Sequence, residues 1–331
     1  MKVNYLTSSI KYQLKSLTSP RIWEVGSRLI QSKRASEFSE KVVRNGSAKN
    51  DSEVYVIRRR PPGGGLFSNL NHVMQGVEYA TLHNMIPVVD MENYWTTYSQ
   101  GRSFHDSCNA WEYFFEPISR VKLENLRDFV NVRYSKGDRI NAESILADRS
   151  LSFVLDRNSV DIYGSMYRQY VKLNWQTLKI IGEVKEFIRW SPETIGVSYR
   201  GTDYLELMAR GHARQPEIAE LHSNLLEKLQ EEPSNKILIS TDDGKARESL
   251  ASSVKNKTYI NFRDENILRK FVSNKDAPSP QVINALGYLI EVVLLSEGKT
   301  IVCSIANGSA AAILLNQNRY IDPRIINKGT Y

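Results

Sequence analysis

Cysteine is nearly missing: Cys108 and Cys303 are the two in 331 residues. So wide a spacing offers neither a disulfide framework nor a zinc site. The five histidines do not cluster at metal-ligand spacing. No window approaches the roughly 18 apolar residues that a membrane span needs. The first residues lack the apolar core of a secretory signal, so a reducing cytoplasm is the expected compartment. The phosphate-loop pattern GxxxxGK[ST] is absent. No Asp-x-Asp pair closes a strand, so no metal ligands are expected and a divalent ion holding a diphosphate is not indicated.

What is present fits a globular chain, with 41% apolar and 24% charged residues. The length suffices for two ordinary domains. Residues 1–49 carry ten Lys or Arg against three acids, which accounts for the whole net charge of +7. The rest is close to neutral, so the body lacks the concentrated basic surface that nucleic acid requires. Within that segment Ile10, Leu14 and Leu17, then Ile22, Val25 and Leu29, recur at helical spacing. Such a basic amphipathic stretch suits peripheral contact with an anionic membrane, or packing on protein or a second subunit.

Arg44–Ser52 reads as a linker, and 1–52 as an N-terminal segment. "VYVIRRR" (54–60) reads as a strand, "PPGGGLFSN" as a turn, Leu70–Asn84 as a helix and 86–91 as a second strand. That is a β-turn-α-β opening of an α/β unit over 53–188. Tyr163–Ile188 reads as one long helical stretch. Beyond it, over 189–331, strands at 194–199, 236–241, 258–262 and 300–304 alternate with helices, the last starting near Ser309. Apolar strands separated by helices predict a second parallel sheet covered on both faces. Open α/β sheets bind ligands at the carboxyl ends of their strands.

Four motifs fall at such ends. Gly63, Gly64 and Gly65 permit a tight turn and close approach of a ligand, or form a turn alone. As a dinucleotide fingerprint, Gly63-x-Gly65-x-x-Ser68 is one glycine short, with Asp90 about where the ribose-binding acid belongs. In "SYRGTDY", Arg200 offers a planar fork suited to phosphate, and Asp203 orients it or the turn; an ordinary surface salt bridge is the plainer reading. Asp242 and Asp243 end one strand and open a helix, as caps or as ligands to a base or ribose. Ser304, Asn307, Gly308 and Ser309 gather small donors at a helix start, favouring a phosphate or simply capping the helix. Their order suits a nucleoside diphosphate against the second unit, with the sugar facing the first.

Ser198-Tyr199-Arg200-Gly201-Thr202-Asp203 is similar to the His-x-Arg-Arg/Gly-x-Asp motif of the GDP-fucose-dependent fucosyltransferase superfamily, which includes α1,6-, α1,2- and protein O-fucosyltransferases. The chain resembles that superfamily from about Val54 to Gln317, most closely its uncharacterised bacterial members. Ser198 stands where many relatives carry histidine. The resemblance implies the GT-B architecture of two facing Rossmann-like domains, an acceptor-side one followed by a nucleotide-sugar-binding one. It implies an inverting, metal-independent transfer without cofactor, with a GDP-sugar as donor. Arg200 is implied to contact the diphosphate, Asp242 and Asp243 the guanosine, Glu291 the base, and Asn307, Gly308 and Ser309 the phosphates.

The expected function is therefore transfer of L-fucose from GDP-fucose to a glycan hydroxyl in bacterial surface polysaccharide synthesis. The catalytic candidates are Arg200 for the leaving group and Glu206 or His212 as base. A lipid-linked acceptor at the inner membrane face is suggested by residues 1–49. The competing readings are an NAD(P)-dependent oxidoreductase using Gly63–Gly65 and a non-catalytic nucleotide-sugar or glycan-binding protein.

Overall fold

The computed structural model describes residues 39–331 except 139, 235, 255–257, 261–264 and 274–276. The amphipathic repeat over Ile10–Leu29 lies outside the described residues.

The first sheet comprises β1 (Lys41–Arg44), β2 (Asn50–Ile57), β3 (Ile86–Val89) and β4 (Phe129–Tyr134), in the order β1-β4-β2-β3. β2 runs parallel to β3 and β4, while β1 is antiparallel to β4. Val54, Tyr55, Val56 and Ile57 are all buried, as in a strand covered on both faces. α1 (Leu66–Leu82) connects β2 to β3. Its Gly76 lies against Ile57, where an added Cβ would come within 2.7 Å of the Ile57 side chain. Arg44–Ser52 is no linker, because it contains the end of β1 and the start of β2. Asn45 stitches this turn down, donating from N to Val130 O at 2.9 Å and from Nδ2 to Phe129 O at 2.9 Å.

The stretch expected as one helix is two, α2 (Arg157–Tyr170) and α3 (Trp175–Phe187). Asn174 causes the break: its Oδ1 accepts from Thr177 N at 2.9 Å as the N-cap of α3. Its Nδ2 donates to Glu112 O at 2.8 Å, tying the cap to the preceding aromatic-rich loop.

The second sheet is parallel throughout: β5 (Ile195–Tyr199), β6 (Lys236–Thr241), β7 (Thr258–Ile260), β8 (Thr300–Ser304) and β9 (Arg324–Ile326), ordered β7-β6-β5-β8-β9. Between strands run α4 (Asp203–Leu207), α5 (Ile218–Glu231), α6 (Gly244–Ser253), α7 (Glu265–Leu268), α8 (Pro280–Glu297) and α9 (Asn307–Asn316). Strand alternation divides the sheet's faces. Ile195, Val197, Ile237 and Ile239 join Leu221 and Leu225 of α5 and Leu250 of α6. Leu238, Ile301 and Cys303 join α8 and α9. Each fully buried leucine contributes about 1.5–3 kcal/mol. Gly196 accommodates Leu295 of α8, whose Cδ2 would lie 2.6 Å from an added Cβ.

The α/β architecture with two sheets is the expected one, but the units are not merely face to face. One core cluster contains Leu70 and Val73 of α1, Leu289 of α8 and Ala311 of α9. Phe67 meets Tyr288 edge-on with ring centroids 4.8 Å apart. α2, placed with the first unit by sequence, packs on α9: Gln317 Nε2 donates to Gly164 O at 2.7 Å. A Cβ at Gly164 would lie 2.7 Å from Leu314 O. Among the described residues no helix is long and apolar enough to cross a membrane.

Candidate functional site

Residues that follow β2, β5 and β8 converge on one cleft, a cavity of about 350 Å³. Gly64, Gly65, Ser68 and Tyr98 form its first-unit wall, and Arg200, Tyr204, His212, Tyr288, Ala306 and Asn307 face them from the second. Two motifs separated by more than a hundred residues thus share one space because parallel strands deliver their carboxyl-end loops to the same edge.

Arg200 leaves the end of β5 and is held by Asp242 from the end of β6, with Arg200 Nε 3.1 Å from Asp242 Oδ2. The same carboxylate accepts from Gly201 N at 3.1 Å and from Thr202 Oγ1 at 2.5 Å. One acid therefore fixes the loop and aims the guanidinium. Gly201 is sterically required: a Cβ would lie 2.7 Å from both Asp243 Cβ and Tyr199 Cε1. Asp242, brought beside Arg200 through the β5–β6 pairing, orients the guanidinium in this geometry. The side chain of Asp203 lies outside the described residues. Asp243 caps α6, its Oδ1 accepting from Lys245 N at 2.9 Å and Ala246 N at 3.1 Å.

Ser198 and Ser240 are register partners across β5 and β6. Ser240 Oγ donates to Glu291 Oε2 at 2.7 Å, and Glu291 is fully buried. Ser198, Glu291 and Ser304 lie inside the fold and line neither this cavity nor the one beside it. Cys303, the register partner of Ser198 in β8, has its thiol pushed up to about 12 by burial and is inert.

At the start of α9, the Ser309 hydroxyl accepts from Ala306 N at 2.9 Å and donates to Ser304 O at 2.6 Å, so it serves the helix start. Asn307 does face the cleft, with Nδ2 donating to Tyr204 OH at 3.3 Å. Gly308 makes room for Tyr288, whose hydroxyl would lie 1.9 Å from an added Cβ. Arg200 Cζ lies 6.0 Å from the Tyr288 ring centroid, within reach of a cation–π attraction. The helix N-terminus thus offers its dipole beside an arginine and a tyrosine hydroxyl.

On the facing wall the glycines divide into two kinds. Gly63 has φ +68°, and a Cβ on it would sit 2.8 Å from Asn69 Oδ1. A Cβ on Gly64 would sit 2.6 Å from Ser68 Oγ. These two are dictated by the turn that Asn69 organises, accepting from Gly64 N at 3.1 Å and donating to Gly64 O at 3.0 Å. Gly65 has an ordinary φ of −63°, and nothing lies within 4 Å of its added Cβ. Nothing in the fold requires a glycine there, and the position faces the open cleft.

Of the two base candidates, His212 enters the cleft, its ring 5.6 Å from that of Tyr204. Glu206 is exposed on α4 and lines neither cavity. Asp90, the acid a dinucleotide reading would use, is buried with both oxygens accepting from Asn93 Nδ2 at 3.1 Å. That engagement weakens the oxidoreductase alternative. Among the described residues no group of three or more His, Cys, Asp or Glu is placed to hold a metal.

Sequence reading missed Arg59 and Tyr288. Of the run Arg58–Arg60, Arg58 is buried in the fold, with Nε donating to Ser135 O at 2.7 Å. Arg59 instead supports the glycine turn, donating to Asn69 Oδ1 at 2.7 Å and Ser68 Oγ at 3.2 Å. Three guanidiniums at a strand end beside a glycine turn were the available signal. Burial lowers the Arg59 pKa, and it shares with its charge in pushing His72 down to about 3, where burial is the larger cause. His72 is therefore neutral, and its Nε2–H donates to Arg58 O at 3.0 Å.

No protein-family model matches the chain, and no curated protein matches it at a significant level. Solved structures are similar over most of its length. The NodZ alpha-1,6-fucosyltransferase soaked with GDP-fucose is 14% identical, covering 80% of this chain and 93% of its own, with a TM-score of 0.44. Fucosyltransferase NodZ from Bradyrhizobium is 13% identical, covering 80% of this chain and 92% of its own, with a TM-score of 0.43. POFUT1 in complex with GDP-fucose is 8% identical, covering 85% of this chain and 99% of its own, with a TM-score of 0.49. At such identities the activity must be argued from the cleft itself.

Proposed function

We propose that the chain is an inverting, metal-independent glycosyltransferase that moves L-fucose from GDP-fucose to a glycan hydroxyl. The observation that carries this reading is the Asp242-held Arg200 beside the start of α9, facing the glycine turn across one cavity. The guanidinium and helix dipole suit a diphosphate leaving group, whose developing charge they would neutralise without reorganising. His212 would take the proton as the acceptor oxygen attacks the anomeric carbon opposite the departing GDP. Such a base contributes typically about 10²–10⁴-fold. Guanosine and fucose rest on the motif resemblance around Ser198–Asp203. A surface-polysaccharide acceptor, reached from the cytoplasmic membrane face through residues 1–49, is part of the same proposal.

A thermal-shift screen of GDP-, UDP- and CMP-sugars tests the donor, with GDP-fucose expected to stabilise most. Arg200→Ala should abolish GDP binding by calorimetry, and unchanged affinity would remove the clamp. Transfer should persist in chelator; loss restored by manganese would overturn the metal-free scheme. GDP binding without transfer or hydrolysis of any sugar nucleotide would favour a binding protein.

A further inference from the structure

Beside the cleft lies a larger cavity of about 680 Å³, and Ser68, His212 and Asn307 line both. Two amides one turn apart on α1 reach its wall. Asn71 Nδ2 and Gln75 Nε2 both donate to Leu146 O, at 2.9 and 3.0 Å. That shared carbonyl fixes which way each amide is turned. Asn71 Oδ1 and Gln75 Oε1 are left buried, with no hydrogen-bond partner among the described residues. Gln75 is only 7% exposed. A buried acceptor without a donor is costly, so a cavity lined by two of them calls for a ligand rich in hydroxyls.

The charges on the wall are unbalanced. Arg59, Arg60 and Arg149 line it against Asp138 and Asp148. Arg60 pairs with Asp138 at 3.3 Å. Asp148 is turned into its own loop, accepting from Ser150 N at 2.9 Å and Ser152 Oγ at 3.1 Å. Arg59 hydrogen-bonds only to neutral Asn69 and Ser68; Asp138 acts on it at longer range, without a close ion pair among the described residues. Arg149 is exposed at the rim, with no ion pair among the described residues.

We propose that this second cavity is the acceptor site for an anionic glycan unit. The sugar's hydroxyls donate to Asn71 Oδ1 and Gln75 Oε1, and its carboxylate or phosphate is held by Arg59 and Arg149. His212, shared by both cavities, stands where a bound acceptor hydroxyl would meet the donor. This rests on the transferase reading, and it narrows the acceptor to uronates or sugar phosphates.

The test uses the full chain saturated with GDP, titrated by ligand-observed NMR. The probes are methyl glycosides of glucuronate and galacturonate, glucose and galactose 6-phosphates, and the neutral methyl glucoside and galactoside. At least one anionic class should bind tenfold or more tighter than its neutral counterpart, and the class that does identifies the anion. Arg149→Met, on an exposed side chain, should remove that preference, whereas Gln75→Met should weaken charged and neutral probes alike. Equal binding of charged and neutral probes would overturn the proposal. So would anionic probes that bind only when GDP is omitted, which would assign the arginines to the donor. GDP affinity is measured separately, so loss of the transferase reading would appear as no GDP binding.

Discussion

Gly65→Ala separates the ligand from the fold. The φ of −63° and ψ of 171° at Gly65 are open to any residue, and an added Cβ meets nothing within 4 Å. Replacing a glycine whose conformation alanine can adopt stabilises by about 0.4–1 kcal/mol through the unfolded chain. Gly65 is also the N-cap of α1, where alanine is the poorer residue by a comparable amount. The two nearly cancel, so melting should shift by no more than a few degrees. In the cleft, by contrast, a methyl group intruding on an occupied site costs about 1–3 kcal/mol. That corresponds to roughly 5- to 150-fold weaker donor binding. Calorimetric titration of GDP and GDP-fucose, run beside thermal unfolding, measures both quantities on one sample. Unchanged melting with unchanged donor affinity would refute the reasoning that open space at Gly65 belongs to a ligand. Gly64→Ala is the control: its Cβ would strike Ser68 Oγ at 2.6 Å, so melting and affinity should fall together.

Asp242→Asn places an amide N–H either against Arg200 Nε and Thr202 Oγ1 or against Gly201 N, and should cost about 1.5–3 kcal/mol from lost charge-assisted bonds. GDP affinity should drop at least tenfold, and retained affinity would mean that Arg200 needs no such partner. Gly308→Ala puts a methyl 1.9 Å from Tyr288 OH and should destabilise by about 1–3 kcal/mol. Combining it with Tyr288→Phe should recover part of that loss in urea unfolding; simple additivity would show that the two do not touch. His72, neutral in the fold and held down to about 3, favours the unfolded state once unfolded histidine protonates. Its contribution is intact above about pH 6.5 and falls by about 1.4 kcal/mol per unit as pH drops toward 3. Urea midpoints from pH 7 to 4 should therefore decline less in His72→Gln than in the wild type, and equal slopes would refute the assignment.

The second sheet was readable because its strands are apolar runs punctuated at the ends. "KILIST" followed by two aspartates, and "TIVCS" followed by a small-residue helix start, announce their own boundaries. β1 escaped because it is four residues long and exposed throughout, and β4 because its brief alternation, VNVRY, stands alone in a stretch without other pattern. The interruption between α2 and α3 escaped because it depends on one asparagine bonding both forward and across to Glu112. At the site, local chemistry revealed Arg200, the glycine turn and Asn307. The hold of Asp242 on Arg200 did not appear, since it arises from the pairing of β5 with β6. Tyr288 looked like one more apolar position on a helix, and only the space left by Gly308 distinguishes it.

The core common to both units has a mechanical consequence. Phe67 against Tyr288, and α2 strapped along α9, join the two walls of the cleft by side-chain packing. Packed interiors resist continuous deformation. Swinging the walls apart would tear that core and expose the aromatic pair, so the spacing between Gly65 and Arg200 is set when the chain folds. On that basis a ligand would meet a slot of fixed gauge, with adjustment left to side chains at its mouth. The same continuity predicts that both sheets unfold in a single thermal transition by calorimetry; two resolved transitions would contradict it.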